Sequence, residues 1–535
     1  MPTIAGFIGT TPRKDDKLLP THAATRAHNC KLERGHISFL HSLKQIEPCT
    51  APDAVSFYKM RSGTFLFFDH MTEVIESAVT ASGRVFVTGD EYPKQITKNG
   101  DTVSRLGMPR PSNSLGVSVT GSVSSGAEIV RSTSYVYTYV SEDGAESEPS
   151  PPTPVVDVKE GQGCNLTGFT LPDLAGVTIK SFRLYRTNVG TNGAEFQLVP
   201  YSANSADIPK TATSFADSVL DVNLSSEILP TEGWERLPDD AHSICLGMFG
   251  IYFAAKGKDI YVSETNIPYA YPPAYRRAVP YDLVSLAVAD NLVYALTTGI
   301  PYALSGSSPE SMGQAPIAEG QACVARKSAL AVSGGVLYAT PDGIGFLTAA
   351  GFKLVSQTLY TREQWRSLKP EQMVGAVHDG EYILFRAGCS DGHIYNMERA
   401  DIRTFDFGVT VLDVHRDLEE DALYILGEKD GEKAVFKWGA GEPVPYVWQS
   451  KLFYSEKAMN MGAIRVSGGV NASTPCVVTV KSSKTEQQLT VTRPDLVMRL
   501  RSGIADHAWS ITVSGTGVVS SIQFGTSIEA MNNGQ

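Results

Sequence analysis

Apolar and polar positions alternate with a period of two in short runs along most of the chain, and almost nowhere with the period of a helix. Between residues 54 and 96 the runs are AVSFYKM, GTFLFFD, TEVIESAV, GRVFVTG and KQIT, parted by turns such as Arg61-Ser62-Gly63. Their spacing of roughly ten residues predicts an antiparallel meander. From residue 241 the plan returns as a loose repeat in SICLGMFGIYFAAKGKDIYVSE, LVSLAVADNLVYALTTGIPYALSG and SALAVSGGVLYATPDGIGFLTAAGFKLVS. It recurs in MVGAVHDGEYILFRAGCSDGHIYNME and VTVLDVHRDLEEDALYILGEKDGEKAVFKW. Each unit sets a polar turn, such as Ala289-Asp290-Asn291 or His378-Asp379-Gly380, before an apolar strand, then a Gly-containing turn and another strand. A period of about 40 to 50 residues is the blade length of a β-propeller. Residues 241–447 are expected to hold the main blades and 54–104 the first strands, five or six blades in all.

Two stretches break this rhythm. Residues 105–126 are rich in Ser, Gly and Pro and read as a linker, as do 223–240. Between them, 127–222 hold about seven short strands, the size and rhythm of an inserted sandwich of fibronectin III or immunoglobulin kind, without the Cys…Trp…Cys spacing of antibody domains. In KSFRLYRTNVGTNGAEFQLV, Phe182 and Leu184 face one way and Arg183 and Tyr185 the other, around a glycine-containing bend. Residues 448–535 are again all strand, a further β-rich platform domain, against which the irregular 1–53 segment is expected to pack. One short helix is expected where Thr361 and Gln364 form a capping box and Pro370 stops the run.

Composition narrows the function classes. Hydrophobic residues make up 42% and charged residues 19% of the 535, which is globular rather than disordered. The formal net charge of -11 and the lack of a basic stripe argue against sequence-independent gripping of nucleic acid, which needs phosphate neutralisation. The seven cysteines are scattered, with no C-x-x-C, so neither a disulfide framework nor a zinc site is expected. No signal peptide and no membrane span are expected, and folding in a reducing cytoplasm follows.

Catalytic patterns are missing: there is no G-x-S-x-G, Walker loop, H-E-x-x-H or EF-hand loop. The pairs His22/His28 and His36/His41 are spaced unsuitably for one helix face or a tight metal site. A propeller glycosidase needs paired carboxylates, and Asp282, Asp290, Asp342 and Asp379 are candidates by position. Asp342 and Asp379 each precede a glycine, which makes them turn residues first. The aromatic loop YVSETNIPYAYPP (261–273) reads as a packed connection rather than a sugar site. Tyr135, Tyr137 and Tyr139 share one face of a strand in TSYVYTYVSEDGAESEPSPPTP, and a sandwich core is the better reading than an exposed binding platform. No catalytic, cofactor or metal residue is therefore assigned.

An ordered set of segments resembles the tail nozzle (tail tubular) proteins of short-tailed bacteriophages. It comprises ATRAHNCKLERGHI, LGMPRPS, YVYTYVSEDGAESEPSPPT with FRLYRT, GIYFAAKGKDIYVSETNIPYAYP, LTTGIPYALSGSSPESM, GGVLYATPDGIGF, LYTREQWRSLKPEQM, WQSKLF and HAWSITVSGTGVVSSIQFGTSIEAM. The segments span nearly the whole chain; none is diagnostic alone. The resemblance implies a homohexameric ring in the virion tail, assembled in the host cytoplasm, in contact with adaptor proteins and tail fibres. It implies passage of double-stranded DNA without sequence-specific binding, no cofactor and no enzymatic activity. The rival expectations are a receptor-binding adhesin and a carbohydrate-active propeller enzyme.

Overall fold

The structure is a computed structural model that describes residues 3–77, 83–97, 100, 102–123, 126–190, 193–501 and 503–532. Among the described residues it is nearly all-β, with six four-stranded antiparallel propeller blades, four of them separate sheets and two sharing one long strand. The first is Glu73–Glu76, Val85–Thr88, Lys94–Ile96 and Val103–Arg105. The second, third and fourth run from His242 to Ala278, Leu283 to Pro316 and Leu330 to Leu354. The fifth joins Met373–His378, Glu381–Arg386 and Cys389–Asn396 to the first half of the long strand Asp401–Asp417. The second half of that strand opens the sixth blade, followed by Ala422–Lys429 and Glu432–Lys437.

Alternation explains why these sheets stack. In Tyr252–Lys256, Tyr252 and Ala254 face the first blade, in a core with Phe86 and Leu106. Phe253 and Ala255 face the third blade, in a core with Leu286, Val293 and Ala295. A strand covered on both faces reads as a continuous apolar run. Corresponding cores join the third blade to the fourth, the fourth to the fifth and the fifth to the sixth. The circle is closed by the hairpin Ser56–Lys59/Phe65–Phe68. Phe57, Phe65 and Phe67 pack on Tyr424 and Leu426 of the sixth blade, while Met60 and Phe68 pack on Val85, Val87 and Ile96 of the first. The ring thus has seven positions, one held by two strands only. Within the blades, turns such as Asp290-Asn291, with φ of 47° and 64°, supply the left-handed residues that a two-residue hairpin needs.

Two expected boundaries shift. Ile4, Phe7, Ala24, Ala27 and Ile37 lie in the platform core, but Lys44–Pro48 pair with Glu432–Lys437 and complete the sixth blade. That outer strand would otherwise present an open edge. The sandwich begins inside the stretch read as a linker: Gly116–Thr120 pair with Gly163–Thr167, with Val117 and Val119 turned to the core. Residues 223–240 are not a free tether either, since Leu229 is buried against Val136, Tyr185 and Leu198.

The platform is two sheets around one core. One sheet comprises Thr3–Ala5, Val518–Gly525, Ala463–Gly469 and Val497–Arg499; the other runs through Ala23–His28, Tyr446–Ser450, Ala505–Gly515, Cys476–Ser482 and Glu486–Val491. Phe7, Trp448 and Trp509 fill the core between them, with Phe7 edge-on to Trp448 at 4.8 Å. Thr10 pairs with Ile402 and His28 with Thr404, so the platform and the fifth blade share one continuous sheet. The single expected helix is Arg362–Ser367, with the reciprocal Thr361–Gln364 capping box in place.

In the insert, the three tyrosines are buried in the sandwich core with Phe182 and Leu184. The proline run shields the edge of their strand by a repeated device. Ser147, Ser150 and Thr153 donate their N–H to the carbonyls of Tyr139, Tyr137 and Tyr135. Their hydroxyls accept the N–H of the same three tyrosines. Pro149, Pro151, Pro152 and Pro154 offer no donors, so the sheet stops there. Ser150→Ala leaves the buried Tyr137 N–H without a partner, at a cost of about 1–3 kcal/mol. We expect amide exchange in the peptide covering 133–141 to accelerate, from roughly fivefold to a hundredfold, when followed by hydrogen-exchange mass spectrometry on the full chain.

Candidate functional site

The four aspartates weighed as catalytic candidates are dispersed over three blades. Asp282 is exposed at the start of the third blade, and its carbonyl accepts the Thr298 N–H. Asp290 is a left-handed turn residue. Asp342 is paired with Arg362 at 2.5 Å. Asp379 is an exposed left-handed turn residue beside His378. In the 261–273 loop, Tyr271 is buried and Tyr261 lies under the Arg276 guanidinium, so its aromatics serve packing. Among the described residues one histidine–carboxylate group is tight enough for a metal, Asp69, His70 and Asp90. There the Lys94 ammonium sits 2.9 Å from Asp90 and already neutralises it, which disfavours a second cation.

The chemically densest place is one the sequence did not reveal: the axis of the propeller. The first strands of successive blades touch one another around it. Lys327, at the entry to the fourth blade, reaches across to the Thr72 carbonyl at 2.6 Å and to Asp413 of the sixth blade at 3.2 Å. Asp413 also accepts the Phe57 N–H of the hairpin at 3.3 Å. Glu73 of the first blade accepts the Ser243 N–H of the second at 2.8 Å and lies 3.9 Å from Arg326. Groups from five of the seven ring positions meet only if they project onto the axis. Burial holds the carboxyls of Glu73 and Asp413 above the ordinary range, and Lys327 opposes that rise. One oxygen of each carboxylate is buried without a hydrogen bond. This is a plug of ion pairs across the middle of the ring. No local motif announces it, because its members lie far apart in the chain.

The sandwich is fixed to the first blade by a second polar joint. Arg105 stacks on Tyr92 at 3.9 Å, pairs with Asp239 at 2.5 Å and donates to the Ala175 carbonyl of the insert at 3.2 Å. Gln95 donates to Asp143 of the insert at 2.6 Å. Gly176, at φ 78°, lies so close to Tyr92 that a Cβ would sit 2.8 Å from the hydroxyl oxygen. Inside the insert, Arg186 is fully buried and paired with Asp217 and Asp221, both at 2.5 Å.

All seven cysteines are free, and burial pushes the Cys30, Cys245 and Cys323 thiols up to about 12, so these three are inert packing groups. Among the described residues no helix is long and apolar enough to cross a membrane.

No protein-family model matches the chain, and no curated protein matches it. Distant structural likenesses exist. The extracellular domain of a putative hybrid two-component system from B. thetaiotaomicron is 9% identical, with a TM-score of 0.28 over 94% of this chain and 78% of that one. The WD40 domain of Toxoplasma gondii coronin is 9% identical, with a TM-score of 0.24 over 53% of this chain and 78% of that one. The Malassezia sympodialis allergen Mala s 1 is 11% identical, with a TM-score of 0.24 over 74% of this chain and 94% of that one. Likenesses this remote carry no argument, and the propeller assignment rests on the sheet order and the cyclic succession of cores.

Lys327→Met leaves Asp413 buried without its cation, and removing one partner of a buried pair costs about 3–5 kcal/mol. We expect a large drop in the denaturation midpoint, partly recovered in Lys327→Met/Asp413→Asn, because the second change removes the stranded charge.

His415 adjoins the plug, its ring 4.6 Å from that of Tyr58. Burial holds it down at about 4, helped by Lys327 and Lys59. A depressed histidine contributes stability above its unfolded value near 6.5, and that contribution is lost as the pH falls towards 4. Glu73 and Asp413 act in the opposite sense, since protonation relieves their burial. We expect His415→Phe, which keeps a ring in place, to show less loss of melting temperature between pH 6.5 and 4 than the parent. The difference should approach the order of 3 kcal/mol.

Proposed function

We propose that the chain is a structural component of a bacteriophage tail. Six copies form the distal nozzle around the DNA exit channel, with adaptor proteins above and tail fibres held at the rim. The observation that carries a structural rather than catalytic role is the plugged axis. The centre of the ring is occupied by Lys327 bound to Asp413 and to the Thr72 carbonyl, and by Glu73 bound to the Ser243 N–H, so these charged groups are engaged with the protein itself. The continuous sheet between blade and platform, and the bolted insert, support the same reading, because they make three folded units into one stiff body. In this arrangement DNA passes between subunits, along an assembly-level channel, and never through the propeller itself. The resemblance across the ordered segments supplies the tail assignment. The net charge of -11 accords with a conduit that does not retain a polyanion. A closed ring uses one heterologous contact repeated around the axis.

The test is native mass measurement and negative-stain imaging of the assembled protein and of tails that contain it. Six copies around an axial hole are expected. A stable monomer, or a trimeric spike, refutes the nozzle; release of reducing sugar from a surface polysaccharide refutes the purely structural role.

A further inference from the structure

Where the N-terminal hairpin Cys30–Lys31/Ser38–His41 meets the fifth and sixth blades, the chain encloses a cavity of about 190 Å³. Pockets for drug-sized ligands run to roughly 300–1,000 Å³, so this one has room for a single small ring. Its walls are of two kinds. Phe39 and Trp438 contribute half-buried aromatic surface, while Lys31, His41, His378 and Asp379 contribute polar tips.

These groups are held in place. The Trp438 ring is wedged against Phe385, Phe405 and Phe407 at 5.7, 5.0 and 5.3 Å, yet among the described residues its indole N–H meets no acceptor. His41 engages the Gly441 carbonyl through Nδ1 at 2.9 Å, which leaves Nε2 for another partner. His378 accepts from Arg416 through Nδ1 at 2.6 Å, so its Nε2 carries the proton, 3.9 Å from the Asp379 carboxylate. Asp379 is 55% exposed and only loosely paired with Lys31 at 3.8 Å, so it remains a free acceptor. Glu381, by contrast, is engaged by Asn396, Arg399 and Arg403.

The cations around the cavity are already engaged: Lys31 by Glu33 at 2.8 Å and more loosely by Asp379, and Arg403 by Glu381. An anionic ligand gains little there. An uncharged ring with apolar faces and a rim of hydroxyls fits both wall types, since aromatic surface covers the faces and the remaining donors and acceptors take the rim. We propose that this cavity binds a neutral hexopyranose unit of a glycan, its ring against Trp438 and Phe39 and its hydroxyls on Asp379, His378 and His41. The site lies between the N-terminal hairpin and the fifth and sixth blades, shares no residue with the axial plug, and does not depend on the tail assignment.

The experiment is a titration of the full chain with glucose, galactose, mannose and N-acetylglucosamine, read by saturation-transfer NMR, with glucuronate and inorganic phosphate as charged comparators. Saturable binding of at least one neutral sugar is expected, weakened about tenfold or more in Asp379→Gly and in Trp438→Leu. Asp379→Gly is the decisive variant because glycine accepts the left-handed turn at φ 51°. No saturable binding of any of the four sugars overturns the inference. So does binding that Asp379→Gly leaves unchanged, and so does preference for glucuronate or phosphate, which would mark an anion site.

Discussion

A blade that is apolar on both faces is stable only while a neighbour covers each face, and in a ring that condition has no end point until the circle closes. The rest of this fold depends on how that is met. Six blades supply six sheets, and the remaining gap is filled by the two-stranded hairpin whose Phe57 and Met60 turn to opposite neighbours. The hairpin is narrow, and it brings Phe57 close enough to the axis for its N–H to reach Asp413. Closure of the apolar circle and formation of the ionic plug are one event seen from two sides. Without the covered faces, the desolvation that holds Glu73, Asp413 and His415 away from their ordinary titration would disappear.

The second recurring solution is the use of a hydroxyl where a ladder runs out of backbone. The Ser147, Ser150 and Thr153 series does this along the tyrosine strand of the insert. Ser263 does it for Tyr252, Ser328 for Ala339, Ser356 for Ile344 and Ser450 for Ile511. In each case a side-chain oxygen accepts the N–H of a strand whose neighbour has turned away. A buried donor left open would cost more than the bond is worth on its own. This lets strands end inside the protein rather than only at its surface.

Much of this architecture could be read from the chain because its signals are local. Alternation with Asp-Asn or Asp-Gly turns marked the blades, and Thr361 with Gln364 marked the only helix expected. The period of two in Tyr135–Tyr139 puts the three rings on one face of the strand, and that face is the one the sandwich buries. What escaped notice had no local signature. Lys44–Pro48 is exposed along its whole length, so nothing apolar announces that it completes the sixth blade. Gly116–Thr120 hides two core valines among Ser and Gly. The plug assembles Glu73, Lys327 and Asp413 from three separate blades, and each looks alone like an ordinary surface charge. The carboxylates that local reasoning did pick out, Asp290 and Asp379 among them, proved to be turn residues, selected by backbone geometry.

The pairing of Lys44–Pro48 with Glu432–Lys437 also sets a timetable. The strand that seals the last blade is synthesised long before its partner, which emerges only after the insert and five complete blades have been made. At typical synthesis rates the interval is tens of seconds. Throughout it the 56–68 hairpin, with its phenylalanines, has no sixth blade to lie against, and the most recently made blade has one bare face. Through this interval the nascent protein is an open arc with sticky ends. Its yield in a cell will be governed by whatever shields those ends, rather than by the stability of the closed ring.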